Sequence, residues 1–150
     1  MTGLEYFRAM ADGRVPPPPM VSLLGLRIVE ADEGRVVVAG TAADKFYNGW
    51  GVAHGGFAAA LLDTALTCAI NTTSSRERSF TTLELKINFV RPLTREAGEV
   101  RCEGRVVHAG NRTATAEGRI TGPDGKLYAH GTTTCIVIED KSGRSEKPVG

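Results

Sequence analysis

The stretch FAAALLDTALTCAI, from Phe57 to Ile70, limits what this chain can fold into more than any other. It reads as part of one long helix over residues 53–70. Its surface is apolar nearly all round, and a helix of that kind is enclosed rather than laid on a surface. It is shorter than the roughly 20 apolar residues that cross a bilayer, and it carries Asp63 at its centre. The enclosure must therefore come from the rest of the protein.

That enclosure is a sheet. Residues 26–31 and 35–42 read as two strands joined by a turn near Gly34. The run TLELKINFV, 82–90, alternates Leu83, Leu85, Ile87 and Phe89 against Thr82, Glu84, Lys86 and Asn88, and Pro92 ends it. Further strand-like runs cover 99–109, 112–121 and 127–139, separated by the turn sequences AGNR and GPDGK. Strands at this spacing with short turns pair antiparallel. The expected class is α+β, an antiparallel sheet of about five to six strands wrapped around one long central helix. Ala114, Ala116 and Gly118 on one face of the 112–121 strand would let that helix approach closely. Residues 1–19 read as an N-terminal arm, with a short helix over 3–12 ended by Gly13 and an extended PPPP connector at 16–19. Residues 20–139 form the single folded domain, and 140–150 a flexible polar tail.

Composition narrows the function. A chain of 150 residues can bury a real core, and a net charge of +1 gives no electrostatic case for nucleic acid as a partner. Cys68, Cys102 and Cys135 are far apart, so they read as small buried hydrophobes in a reducing compartment, not as disulfides or zinc ligands. Glu5, Arg8 and Asp12 interrupt the N-terminal apolar residues, unlike a signal peptide. No membrane segment is expected, and the cytoplasm is the expected location.

An ionised carboxylate among apolar residues is costly unless paired. Asp63 is either satisfied by a nearby hydroxyl such as Thr67, or it is there to act as a general base or nucleophile. The preceding segment favours chemistry. Gly51, Gly55 and Gly56 flank His54 where the helix begins, and glycine there lets another molecule approach the backbone. The unpaired N–H groups of a helix N-terminus can stabilise a developing oxyanion.

The pattern Asn48-x-x-Gly51-x-x-His54-Gly55-Gly56, followed by a buried helix with Asp63, resembles the hotdog-fold acyl-CoA thioesterases. It looks most like their PaaI-type branch, named after phenylacetic acid degradation; TTLELKINFVRP also looks like that family's second core strand. The resemblance covers roughly residues 20–139. It implies thioester hydrolysis without metal or organic cofactor, acyl-CoA as substrate, and homodimers paired into tetramers. By the same resemblance, Asp63 is the catalytic acid and the Gly55 N–H polarises the thioester carbonyl. Asn48 and His54 support the site, and Thr82, or its neighbour Thr81, helps position water. Gly56 and Trp50 border the substrate path, and Arg91, Arg95 and Arg112 are candidates for the coenzyme A phosphates. His108 and His130 lie away from the motif and read as structural or surface residues.

His54 and Asp63 are nine residues apart, roughly 13–14 Å along a helix and on opposite sides of it. One helix cannot bring both to a single thioester carbon, so the active site is expected to be shared between two antiparallel chains. Two rivals remain at this stage. A hotdog hydratase or dehydratase would place an Asp-His or His-Glu dyad differently, since here the histidine precedes the helix. A non-enzymatic acyl-CoA binding module would bind without turnover.

The scatter of the histidines and cysteines carries one prediction. Dialysis against a strong chelator should leave hydrolysis of acyl-CoA unchanged, because no His or Cys pair has ligand spacing. A loss of rate restored by a divalent ion would contradict it.

Overall fold

The computed structural model describes residues 1–75 and 78–139; the expected tail, 140–150, lies outside them. In chain order the elements are α1 (Gly3–Ala11), α2 (Pro19–Leu23), β1 (Arg27–Asp32), β2 (Arg35–Thr41), α3 (Gly55–Asn71), β3 (Arg78–Phe89), β4 (Glu99–Ala109), β5 (Thr113–Thr121) and β6 (Leu127–Glu139). The six strands form one antiparallel sheet in the order β1-β2-β4-β5-β6-β3. Helix α3 packs against strands β2 to β6. This is the sheet around a central helix expected from the apolar helix, and the hotdog fold that the resemblance implies.

Leu61, Leu62, Ala65, Leu66, Ala69 and Ile70 are completely buried on the sheet side of α3. Each large aliphatic chain among them contributes about 1.5–3 kcal/mol by leaving water. Two glycines in the sheet let the helix lie close to it. A Cβ on Gly104 of β4 would lie 2.5 Å from the Ala65 carbonyl oxygen, and one on Gly118 of β5 would lie 2.4 Å from Leu66 Cδ1. Gly104 pairs with Gly118, and Gly118 with Gly131 of β6; a Cβ on Gly131 would meet the Lys86 carbonyl of β3, so the glycines under the helix are Gly104 and Gly118. Ala114, Ala116 and Ile120 continue the small inner face of β5 and are buried, as their alternation suggests.

Several details depart from the reading of the sequence. The helix is not covered all round. Ala59, Ala60, Asp63, Thr64, Thr67 and Cys68 are only half-buried, because the sheet embraces one side of α3 and leaves this stripe open. The PPPP run is not extended throughout: Pro19 occupies the first turn of α2, where its missing N–H costs nothing. Strand β3 begins at Arg78, four residues before the clean alternation starts.

The alternation in β3 also breaks. Thr82 pairs with Cys135 and Glu84 with Thr134, so Leu83 is an extra, bulged residue and is 58% exposed. Leu83 therefore leaves the inner face on which the period-two pattern places it. Phe80 and Thr82 point inward before the bulge, and Leu85 and Ile87 point inward after it.

In α1, Thr2 and Glu5 form a reciprocal capping box, and Phe7 and Met10 join the main core. Arg35 bonds Glu30 at 2.7 Å and Glu103 at 2.8 Å, tying β1, β2 and β4 across their outer face.

The contact at Gly104 can be tested by stability. Gly104→Ala should destabilise the protein by about 1–3 kcal/mol, the cost of overpacking, because the obstacle is helix backbone that cannot rotate away. Gly49→Ala, with nothing within 4 Å, is the control and should shift the denaturation midpoint far less. Equal midpoints would show that α3 does not need the glycine.

Candidate active site

The loop before α3 is held by its own backbone. His54 N–H donates to the Phe46 carbonyl at 2.8 Å, Asn48 N–H to the Val52 carbonyl at 2.8 Å, and Ala53 N–H to the Leu93 carbonyl at 2.8 Å. The Asn48 side chain accepts from Trp50 N–H at 2.9 Å and Val52 N–H at 3.4 Å. Asn48 is thus spent on shaping the loop. Phe46 stacks on Phe57 with ring centroids 5.1 Å apart, anchoring the loop to the first turn of the helix.

His54 is the N-cap of α3, a role usually filled by Ser, Thr, Asp or Asn. Its Nδ1 accepts from the Gly56 N–H at 2.8 Å. Gly56 is therefore occupied, whereas the Gly55 N–H has no acceptor among the described residues. Phe89, at the end of β3, covers Gly55 so closely that a Cβ there would sit 3.2 Å from the ring. Beside Gly55 opens a mainly apolar cavity of about 310 Å³, walled by residues of the 52–55 turn, the 89–93 segment and the inner face of β5 and β6.

Asp63 stands on the open stripe of α3. The Thr82 hydroxyl donates to its Oδ1 at 2.8 Å, and the Thr67 hydroxyl lies 3.5 Å from the same oxygen. The two hydroxyls are 3.0 Å apart, and Cys135 Sγ is 4.0 Å from Thr67 Oγ1. Oδ2 has no donor among the described residues. Burial first, and then the Asp63 charge, push the Cys68 thiol up to about 12. Burial also raises Cys135, against the hydroxyls of Thr67, Thr133 and Thr82 and with a further rise from Asp63. Neither cysteine supplies a thiolate near neutral pH, which leaves Asp63 as the candidate reactive group at this spot.

The residues singled out from the sequence thus form two groups. Asp63, Thr67 and Thr82 are together, at mid-helix. His54, Gly55, Gly56 and Asn48 are together at the helix start, with Arg91 on the wall of the cavity. Eight residues separate Gly55 from Asp63, about 12 Å of helix. Trp50 is 89% exposed and touches neither group's hydrogen bonds with its ring. Arg95 is engaged with Asp44 at 2.9 Å. Arg112 is exposed in the β4–β5 turn, at the other end of α3 from Gly55. Thr81 faces outward, so of the two adjacent threonines it is Thr82 that lies beside Asp63. Cys135 and Phe89 were missed as neighbours of the site. The β3–β6 register brings Cys135 there, and no local sequence signal marks it. Among the described residues, no group of three His, Cys, Asp or Glu side chains could hold a metal, and no helix is long and apolar enough to cross a membrane.

The model of the thioesterase superfamily matches residues 51–129, from the glycine before His54 to the floor of the cavity. The chain belongs to that family. It is an enzyme of acyl-CoA thioester hydrolysis, of the PaaI type. Its structure resembles the PaaI protein of the Escherichia coli phenylacetic acid degradation operon, with TM-score 0.79, 25% identity and coverage of 91% of this chain and 96% of that one. A phenylacetic acid degradation-related protein of Ralstonia eutropha gives TM-score 0.78 and 32% identity over 87% of this chain and 98% of its own. The 1,4-dihydroxy-2-naphthoyl-CoA hydrolase of Listeria monocytogenes is 28% identical over 114 residues, 76% of this chain and 91% of that protein.

The Thr82 bond tests the mid-helix group. Thr82→Val keeps shape and strand propensity but removes the donor at 2.8 Å from Asp63. Hydrogen bonds to charged groups contribute about 1.5–3 kcal/mol, so kcat should fall roughly ten- to a hundredfold with little change in KM. An unchanged kcat in an acyl-CoA hydrolysis assay would remove Thr82 from the machinery.

Proposed function

We propose that the protein hydrolyses acyl-CoA to a free acid and coenzyme A in a site shared by two chains, with Asp63 as general base or nucleophile and Gly55 of the partner subunit as oxyanion donor. One observation carries this reading. The two groups the reaction needs are unspent, Asp63 Oδ2 and the Gly55 N–H, and both sit on one rigid helix about 12 Å apart. A single chain cannot apply both to one carbon. A second α3 laid antiparallel along the open stripe brings the partner's Gly55 near Asp63, and two-fold symmetry creates two such sites. The half-buried stripe of small residues and the unpaired edge of β3, last strand in the sheet, support this association.

In that site the thioester oxygen accepts from Gly55 N–H at the positive end of the helix dipole. As base, Asp63 takes a proton from a water whose oxygen attacks the carbonyl carbon. The tetrahedral intermediate then collapses, the carbon–sulfur bond breaks, and the coenzyme A thiolate leaves and is protonated. As nucleophile, Asp63 Oδ2 would attack the carbonyl carbon directly and expel the coenzyme A thiolate, which is protonated, and water would then hydrolyse the resulting anhydride to the free acid and the Asp63 carboxylate. Thr82 fixes the carboxylate in either route. His54 acts on the backbone: its cap on Gly56 holds the first turn so that the Gly55 N–H stays free. Arg91, exposed at the rim of the cavity, is placed to meet a coenzyme A phosphate.

Asp63→Asn is nearly isosteric and should reduce kcat by about a hundredfold or more while the protein still binds acyl-CoA. Sharing is tested by mixing that variant with His54→Ala, each first shown to be inactive. A heterodimer holds one intact site and one doubly damaged site. After random exchange half the dimers are mixed, so about a quarter of wild-type sites should return. Verified heterodimers without activity would overturn the shared site.

A further inference from the structure

The cavity beside Gly55 is lined in part by residues that belong to neither group of site residues. Its floor is the cross-strand pair Ile120 and Ala129, together with Ala58 of α3. Tyr128 lines it as well. This residue is the product of a second bulge: Ile120 pairs with Ala129 and Thr121 with Leu127, so Tyr128 is the unpaired residue between them. The carbonyl that the bulge frees accepts from both Val90 N–H at 2.8 Å and Arg91 N–H at 3.1 Å. The ring is held firmly, with 8% of the residue exposed, against Gly122 in the β5–β6 turn, where a Cβ would come within 2.9 Å of its Cε2.

A second hollow of about 430 Å³ is lined by Tyr128 and by Thr94, Glu96, Pro123, Asp124 and Lys126. Tyr128 lines both spaces, the first mainly apolar and the second mainly polar. Its hydroxyl has no partner among the described residues. The ring is thus placed by packing and backbone geometry, not by a polar bond of its own.

We propose that the cavity beside Gly55 receives the apolar acyl group of the thioester and that the Tyr128 ring sets the greatest acyl length the enzyme accepts. The inference rests on the reading of Gly55 as the group that binds the thioester oxygen. A carbonyl held at the Gly55 N–H has its acyl carbon at the mouth of this apolar space, whose inner surface is Ala58, Ile120 and Ala129. The acyl group extends until it meets the tyrosine. A longer chain must displace a buried ring or stay in water, and each methylene excluded from a hydrophobic pocket lowers kcat/KM by roughly tenfold or more.

The test is a series of straight-chain acyl-CoAs from acetyl to palmitoyl, with benzoyl-CoA and phenylacetyl-CoA, measured as kcat/KM. The wild type should show a sharp upper cut-off in chain length. Tyr128→Ala removes the ring and should move the cut-off outward by several carbons, raising kcat/KM for the first excluded chain by about tenfold or more relative to a short chain. Tyr128→Leu, which keeps apolar bulk in the core but shortens the wall, should move it by less and covers the case in which Tyr128→Ala does not fold. A wild type that hydrolyses the series without a cut-off would overturn the assignment. So would folded variants with an unmoved cut-off, or with KM raised equally for every chain, as expected if the cavity holds the coenzyme A arm. A wild type inactive on every thioester would instead overturn the reading of the reaction itself.

Discussion

The contact between the α3 backbone at Ala65 and the β4 backbone at Gly104 sets the depth at which the helix lies, and the rest of the molecule is arranged around that depth. With only hydrogen atoms between them, Leu61, Leu62 and Leu66 reach the sheet and are lost to water entirely. The helical period then decides what the other side carries. Positions 61, 62, 65, 66 and 69 point down, so 63 and 67 are turned to the flank, beside β3 and β6. A bulkier residue at Gly104 would raise the helix and move Asp63 relative to Thr82 on a strand that does not move with it.

Two bulges make the site out of an otherwise regular sheet. In a strict alternation, the residues that bury Leu85 and Ile87 would turn Thr82 to solvent. The extra residue at Leu83 reverses the phase, so that Phe80 and Thr82 share the inner face with Leu85 and Ile87. The bulge at Tyr128 does the corresponding work in β6: it frees a carbonyl for the chain leaving β3 and places a residue that lines two hollows. Both distortions flank the functional groups, where re-aiming one side chain has chemical value.

The polar groups near the site are nearly all committed to one another. Asn48 binds its own loop, His54 caps Gly56, and Thr82 holds one oxygen of Asp63. This leaves one N–H and one carboxylate oxygen. Both are held by neighbours already satisfied, so in the proposed reaction little reorganisation is needed, the condition under which aligned dipoles stabilise a transition state best.

The class of fold was legible in the sequence because it depends on periodicity and chemistry that are local. An all-round apolar helix needs a sheet to enclose it, and alternating runs with short turns supply an antiparallel one. Asp63 and the glycines around His54 were legible for a similar reason: a carboxylate in apolar sequence and glycine at a helix start are each costly without a purpose. The open stripe on α3 was not legible, since composition says that a helix is buried but not which element buries each side. The inward turn of Thr82, the place of Cys135 beside it and the wall at Tyr128 depend on one-residue shifts in strand pairing, set by contacts between segments far apart in the chain. Local sequence thus determined which groups are present and on which elements they ride. Only the tertiary structure decided their phase, because a single bulged residue reverses the face of everything beyond it and costs too little to leave a local mark.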